Sequence, residues 1–261
     1  MLTDSHCHLD KINLESFSND FSALINNATE SDVSQFLCVC IDTEHFQDVL
    51  KPAQQYSNIY CSVGVHPTHQ ESYAPSVDEL VELAQHKEVI AIGETGLDYF
   101  RCDAENDDMT WQHDLFRTQI RAAIKTQKPL IIHTRSAKED TIKILKEEQA
   151  EQVGGVMHCF AEDWEMAQKA MDLNFYISFS GIVTFNSATV LQDVAKRVPA
   201  DKYLIETDSP WLAPVPKRGK LNQPAYVKYV AEKMAELREC SYEQIATEST
   251  DNFNRLFKVC K

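Results

Sequence analysis

Short apolar runs alternate with longer amphipathic segments along the chain. Between the runs, apolar residues recur at helical spacing, as in Val77, Leu80, Val81 and Ala84. Strands that alternate with helices indicate a parallel sheet, and eight strands at this chain length predict an α/β fold, a TIM (β/α)8 barrel. A doubly wound sheet is the alternative, but no glycine-rich phosphate-binding segment follows the first run. The predicted strands are residues 2–7, 36–41, 59–65, 89–92, 130–133, 155–158, 175–178 and 203–206.

The C-terminal segment, 224–261, predicts two further helices. Pro224 suits a first helical turn, and Tyr226, Val230 and Met234 follow at the spacing of a face that packs on the barrel. Nothing in the sequence resembles a linker between domains. Because α/β barrels often reach roughly 200–250 residues as one unit, residues 1–261 are predicted to form a single domain.

Composition predicts a cytoplasmic protein without a membrane partner. The 261 residues are 43% hydrophobic and 25% charged, which is typical of globular proteins. The eight cysteines form no Cys-x-x-Cys pair and several lie within apolar runs, which favours free thiols in a reducing compartment. No signal peptide is visible, and no apolar run approaches the roughly 18 residues that span a membrane. A monomer is the default expectation.

The net charge of −15 argues against a broad basic surface for duplex DNA. It leaves open a nucleic-acid substrate that is held in a local pocket, because bound divalent cations would reverse the local sign of the charge. Charge alone therefore restricts the mode of nucleic-acid binding without excluding it.

Histidines and carboxylates stand at the ends of most of the predicted strands. In a parallel barrel all C-terminal strand ends meet on one face, where catalytic residues gather. Any one of these residues fits an ordinary core or surface position, but so many at the same end of successive strands indicate a joint divalent-metal site. These residues are His6, His8, His66, Glu94, His133, His158, Glu206 and Asp208.

Four histidines and two carboxylates suit two divalent ions. His6, His8 and Asp208 are predicted to hold one ion. His133 and His158 are predicted to hold the other, and Glu94 is placed to bridge the two. This set leaves open positions for water and substrate, and its charge attracts an anion such as a phosphate ester. Histidine-rich ligation favours Zn²⁺, Mn²⁺ or Fe²⁺, so the residues alone do not identify the ions.

The sequence resembles the TatD family of metal-dependent deoxyribonucleases, within the amidohydrolase-like barrels. The resemblance implies a TIM barrel, a divalent-metal site and hydrolysis of DNA phosphodiester bonds with Mg²⁺ or Mn²⁺ in use. The metal ligands assigned above agree with the family pattern. The matching segments are Asp-Ser-His-Cys-His-Leu-Asp at 4–10, Gly-Val-His-Pro at 64–67, Gly-Glu-Thr-Gly-Leu-Asp-Tyr at 93–99, His-Thr-Arg at 133–135, His-Cys-Phe at 158–160, Ser-Phe-Ser-Gly at 178–181, Glu-Thr-Asp-Ser-Pro at 206–210, Arg-Gly-Lys at 218–220 and Thr-Asp-Asn-Phe at 250–253.

The resemblance also implies roles for two acidic residues at the eighth strand. Asp208 is the usual candidate for accepting a proton from the nucleophile. Glu206 matches a family carboxylate near the metals and is predicted to be catalytic, although a structural acid that holds a loop is the alternative. Trp211 stands where Tyr or Phe is common after Asp-Ser-Pro, and its expected role is apolar packing.

The predicted mechanism is attack on phosphorus by a hydroxide that two metal ions activate. Asp208 would orient the water and take its proton. His66, Arg135 and Arg218 would bind phosphate oxygens, and the planar fork of arginine suits that contact. For Arg218, a solvated basic loop is the alternative.

The expected substrate is a single-stranded DNA end that is degraded in the 3′-to-5′ direction. A compact pocket in an acidic barrel suits a chain end better than a long duplex. The alternatives are a small-molecule amidohydrolase or phosphoesterase that uses the same metal centre, and a non-catalytic metal-binding protein.

Overall fold

Eight parallel strands form one sheet whose strand order follows the chain. The protein is described from a computed structural model that covers residues 1–70, 73–100 and 108–259. The prediction of a TIM barrel is confirmed. The strands are β1 (Leu2–Cys7), β2 (Val33–Cys38), β3 (Ile59–Val63), β4 (Val89–Asp98), β5 (Leu130–Arg135), β6 (Gly155–Met157), β7 (Phe175–Phe179) and β8 (Tyr203–Ile205).

Helices follow the strands and surround the sheet. The segment from Pro224 forms a 3₁₀ turn and then two helices, as predicted. Local sequence explains several helix starts, because the side chains of Asp20, Ser76 and Asp163 each accept a hydrogen bond from the first turn. The helices are α1 (Phe21–Thr29), α2 (Phe46–Gln55), α3 (Val77–Leu83), α4 (Thr110–Thr126), α5 (Lys138–Glu147), α6 (Trp164–Asp172), α7 (Thr189–Arg197), α8 (Val227–Arg238) and α9 (Tyr242–Phe257).

Successive residues of a strand point alternately toward the surrounding helices and toward the inside of the barrel. In β2, Phe36 and Cys38 pack in the layer between strands and helices, whereas Leu37 belongs to the cluster inside the barrel. Phe253 and Phe257 of α9 pack against this inner cluster. The bottom of the barrel is therefore filled with side chains, and the polar residues collect at the opposite end.

The predicted strand β4 was too short. It continues past Ile92 to Asp98, and every residue in it is buried. Its second half pairs with β5, with Gly96 opposite His133. Polar residues such as Glu94 interrupt the apolar run, which explains why the pattern alone suggested an earlier end.

The barrel closes between β8 and β1 near their C-terminal ends. An isolated parallel bridge joins Cys7 to Ser209. The backbone N–H of Asp208 donates to His6 O over 2.9 Å, and the N–H of His8 donates to Ser209 O over 2.8 Å. The closure therefore runs through residues of the predicted metal site.

The buried carboxylate of Asp4 adds hydrogen bonds to this closure. It accepts hydrogen bonds from the Thr207 backbone N–H at 2.8 Å and from the Thr207 hydroxyl at 2.6 Å. Burial raises the pKa of Asp4 to about 8, although the hydrogen bonds from Thr207 oppose the shift. This buried group ties the start of the chain to the segment that follows β8.

The described cysteines are free thiols, as the sequence predicted. Cys102 and Cys260 lie outside the described residues, and the six other cysteines are free. None of the helices within the described ranges combines the length and the apolar character that a membrane crossing requires.

Replacing Gly96 with alanine is expected to destabilise the barrel strongly. Gly96 has φ +134°, and an added Cβ would lie 1.9 Å from His133 O, inside the β4–β5 pairing. Backbone strain and overpacking together predict a loss of about 3 kcal/mol or more in the free energy of unfolding. Urea denaturation measures this loss.

Gly219→Ala is the matched control. Gly219 also has a positive φ, +78°, but an added Cβ would meet nothing within 4 Å. Only the backbone cost of about 1–2 kcal/mol is expected there. Equal losses in the two variants would contradict the close approach of β4 to β5.

Candidate metal centre

The six predicted metal ligands meet at the C-terminal end of the barrel, in a recess that we call the cup. His6 and His8 come from β1 and the residue after its end, Glu94 from β4 and His133 from β5. His158 directly follows β6. The structure brings together the predicted ligand residues His6, His8, Glu94, His133, His158 and Asp208.

Glu94 stands between two sets of histidines. Its Oε2 lies 3.4 Å from His6 Nε2 and 3.8 Å from His8 Nε2. Its Oε1 lies 3.1 Å from both His133 Nδ1 and His158 Nε2. Each oxygen therefore faces a different set, which is the arrangement that a bridging carboxylate needs.

Asp208 belongs to the first of these sets. Its Oδ1 lies 3.7 Å from His6 Nε2 and 3.5 Å from His8 Nε2, and the two imidazole nitrogens are 3.1 Å apart. One ligand atom from each of these three residues converges on a common position, close enough together to hold a single cation. The grouping matches the one that the sequence predicted for the first ion.

His66 lies closer to Glu94 than a role in substrate binding alone requires. Its Nε2 is 3.3 Å from Glu94 Oε1, and His66, Glu94 and His133 form another group with converging ligand atoms. The geometry therefore makes His66 a candidate metal ligand as well as a substrate-binding residue. Its position after β3, equivalent to the other histidines, was the available signal.

The second ring nitrogen of most of these histidines is held from outside the cup. Val39 O lies 3.0 Å from His8 Nδ1, Asp98 Oδ2 lies 3.0 Å from His133 Nε2, and Glu206 Oε1 lies 2.9 Å from His158 Nδ1. Such outer partners are typical of metal-binding histidines, because they fix the ring and its tautomer. The donor set thus fits divalent cations.

The positions of Glu206 and Asp98 revise what the sequence predicted for the site. Glu206 is fully buried behind His158, where it also accepts hydrogen bonds from the Cys159 N–H, at 2.7 Å, and from the Ser178 hydroxyl. This geometry favours an orienting role over the direct catalytic role predicted for Glu206. Asp98 was not assigned from the sequence, although its place in the Gly-Glu-Thr-Gly-Leu-Asp-Tyr segment was a usable signal.

Glu94 and His158 stabilise each other's charged forms. Burial alone would raise the pKa of Glu94, but His158, His66 and His133 lower it well below its usual range. Burial alone would lower the pKa of His158, yet Glu94 and Glu206 raise it well above its usual range. A bound cation would stabilise the Glu94 carboxylate in the same way.

Neither cysteine beside a ligand histidine qualifies as a metal ligand. Cys7 turns away from the cup, and its Sγ contacts Leu37 O at 3.4 Å. Burial raises the pKa of the Cys159 thiol well above its usual range, and nearby carboxylates add to the shift. Cys7 therefore points out of the cup, whereas Cys159 lines the cavity, where its Sγ lies 3.1 Å from the Ser180 hydroxyl.

The two predicted phosphate-binding arginines occupy different positions. Arg135 ends β5, lines the cup and stacks its guanidinium 3.7 Å from the centre of the Phe100 ring. Arg218 is exposed, stacks 3.9 Å from the centre of the Phe185 ring and is not among the residues that line the cup. Only Arg135 is brought to the cup itself.

The cup opens into a cavity of about 550 Å³. Trp211 was expected to pack in an apolar environment, but 49% of it is exposed at the rim. The cavity is lined by His8, Ile41, His66, Thr68, His69, Glu94, His133, Thr134, Arg135, His158, Cys159, Ala161, Ile182, Asp208, Trp211 and Leu212.

Adding a divalent metal to chelator-treated protein is expected to raise the melting temperature. At a metal concentration a hundredfold above Kd, binding stabilises the fold by about 2.7 kcal/mol, which corresponds to roughly 5–10 °C in a protein of this size. Glu94→Gln should remove most of this shift, because it takes the charge from the carboxylate that faces both histidine sets. Glu82→Gln, an exposed control on α3, should retain it. A full shift in Glu94→Gln would argue against the cup as the metal site.

Asp98→Asn is expected to weaken metal binding by about tenfold or more, because the carboxylate that orients His133 loses its charge. Isothermal titration calorimetry of the metal measures the change in Kd. Asp172→Asn, at the exposed end of α6, serves as the control. Identical affinities in the two variants would exclude the orienting role.

Comparison with known proteins identifies the family of this chain. The sequence model of the family described as TatD related DNase matches residues 3–258. The uncharacterized metal-dependent hydrolase YcfH of Escherichia coli (strain K12) is 45% identical over 258 residues, which cover 99% of this chain and 96% of that protein. The uncharacterized metal-dependent hydrolase YabD of Bacillus subtilis (strain 168) is 43% identical over 260 residues, covering 99% and 100%.

A solved structure extends the comparison to the fold. The crystal structure of YjjV, a TatD homologue from Escherichia coli K12, superposes with a TM-score of 0.88 at 27% sequence identity, covering 99% of this chain and 98% of that one. Family model, relatives and fold all indicate the same family. The chain belongs to the TatD family of metal-dependent hydrolases.

Proposed function

We propose that this protein is a deoxyribonuclease that hydrolyses phosphodiester bonds of DNA with the help of two divalent ions. The observation that carries the proposal is the position of Glu94, whose two oxygens face two separate histidine sets. Two adjacent cation sites of this kind suit the attacking and leaving oxygens of a phosphate ester. The family to which the chain belongs supplies the link to DNA.

The residues of the cup divide between the two ions. His6, His8 and Asp208 would hold one, and Glu94 would reach both. His133 and His158 would hold the other, with His66 as a further candidate. When bound, the ions would supply Lewis acidity, which lowers the pKa of water and neutralises charge on a phosphate.

Asp208 is the residue that we propose as the proton acceptor. Its side chain is 13% exposed and lines the cavity, so an attacking water can reach the carboxylate. Its backbone is held by the hydrogen bond to His6 O, which fixes the carboxylate beside the first histidine pair. A positioned carboxylate that takes a proton typically contributes about 10²–10⁴-fold to the rate.

Arg135 is the proposed phosphate contact at the mouth of the cup. Its guanidinium lies over the Phe100 ring, 3.7 Å from the ring centre, which restricts the side chain before substrate arrives. A guanidinium can bind two phosphate oxygens at once. Arg218, on its exposed loop, is the proposed contact for a phosphate farther along the strand.

A single-stranded 3′ end is the proposed substrate. The cavity of about 550 Å³ has the size of a site for one or two small groups, and the inner core closes the barrel beneath it. The net charge of −15 disfavours the extended contact with phosphates that a long duplex requires. Entry of a free end avoids that contact.

Cleavage of a 5′-labelled single-stranded oligonucleotide tests the proposal. Metal-stripped protein is incubated with Mg²⁺, Mn²⁺ or Zn²⁺, and a ladder of progressively shorter labelled products is expected with at least one of them. Asp208→Asn should lower the rate about 100-fold or more, because it removes the proton acceptor and a metal ligand. Asp193→Asn, exposed on α7, is the matched control and should cleave normally.

The other outcomes identify the alternatives. Hydrolysis of small esters or amides without DNA cleavage would indicate a small-molecule hydrolase that uses the same metal centre. Metal binding without turnover of any ester would indicate a metal-binding protein. A single internal cut in place of a ladder would contradict the exonuclease direction.

A further inference from the structure

Trp211 presents an exposed indole beside the metal cup. The residue is 49% exposed, and its ring meets the His8 ring edge to face, with the centroids 5.0 Å apart and the planes at 67°. His8 is itself a candidate metal ligand. Trp211 therefore stands next to the position where a substrate phosphate would bind.

The backbone that carries this indole is rigidly held. The N–H of Trp211 donates to Asp208 O over 3.0 Å, and its carbonyl accepts a hydrogen bond from the side chain of the fully buried Asn222. Asn222 also donates to Thr207 O over 2.8 Å. Gly181 packs closely against Leu212, the residue after Trp211. A Cβ added to Gly181 would lie 2.1 Å from Leu212 O. The ring is exposed while its attachment is ordered, so little entropy is lost when a flat ligand stacks on it.

The cavity beside Trp211 has two chemically different walls. Ile182, Trp211 and Leu212, from the segments after β7 and β8, supply apolar surface. His66 and Arg135, at the ends of β3 and β5, supply polar and cationic groups. A nucleotide has the same division, since its base is flat and weakly polar and its phosphate is anionic.

We propose that Trp211, with Ile182 and Leu212, forms a subsite on which a nucleobase of the substrate stacks. The subsite rests on the proposed function, because it assumes a nucleotide as the ligand. It assigns the base to the β7–β8 side of the cup and the phosphate to the metal ions and Arg135. Stacking of a base on an aromatic side chain contributes about 1–3 kcal/mol, or roughly 5- to 150-fold in affinity.

Two ligands that differ only in the base test the subsite. Thymidine 5′-monophosphate and 2-deoxyribose 5-phosphate are titrated onto the metal-loaded protein, and the two Kd values are measured by calorimetry. The natural chain should bind the nucleotide about tenfold more tightly than the baseless sugar phosphate. Trp211→Leu should abolish most of this preference, and Trp211→Phe should keep most of it, because phenylalanine still offers a ring.

Trp164→Phe is the matched control. Trp164 lies on α6, where the Arg197 guanidinium stacks 4.2 Å from its ring centre, and it does not line the cavity. This variant should keep the full preference for the base. It should also keep the change in tryptophan fluorescence on nucleotide binding, whereas Trp211→Phe should lose it.

The outcomes separate the subsite from the proposed nuclease activity. An unchanged base preference in Trp211→Leu, or no preference in the natural chain, would overturn the subsite even if DNA is cleaved. A base preference that depends on Trp211 would support the subsite even if the oligonucleotide is not cleaved, and the enzyme would then act on another nucleotide ester.

Discussion

The closure of the barrel between its first and last strands determines the geometry of the cup. The hydrogen bonds that join the two edges belong to His6, His8 and Asp208, which are also predicted metal ligands. Inside the wall, the Asp4 carboxylate ties the same two segments together through Thr207. The residues that form these bonds also carry predicted ligand side chains. The barrel therefore cannot open between β8 and β1 without separating those side chains. Stability and function therefore depend on the same few contacts.

Glu94 and its surroundings supply the second half of the site. Gly93 and Gly96 flank it in β4, and neither has room for a Cβ against β5, so the backbone of these strands packs closely there. This places a carboxylate at the centre of the cup with one oxygen toward each set of histidines. Asp98 and Glu206 then hold His133 and His158 from behind. The centre is thus a layered network in which buried acids orient the histidines that surround another acid.

The charge of the whole protein and the chemistry of the cup act in opposite directions. A net charge of −15 keeps long polyanions away from the surface in general. Cations held by His8 and its neighbours, together with Arg135, would make one end of the barrel locally attractive to a phosphate. The apolar rim around Trp211 adds a surface that a phosphate alone does not use. Together these features support the proposed selectivity for a nucleotide end.

The barrel, its eight strands and the six residues that meet at the centre of the cup could be predicted from the sequence alone. These follow from local patterns, because each strand is a short apolar run and each ligand stands at the end of one. The sequence did not reveal that β4 reaches Asp98, since polar residues within a buried strand look like a loop. The contacts between distant segments showed that the His66 imidazole reaches Glu94, that Glu206 lies behind His158 and that Trp211 is exposed. Those facts depend on which neighbouring segments surround a side chain, and periodicity along one chain carries no information about contacts between distant segments.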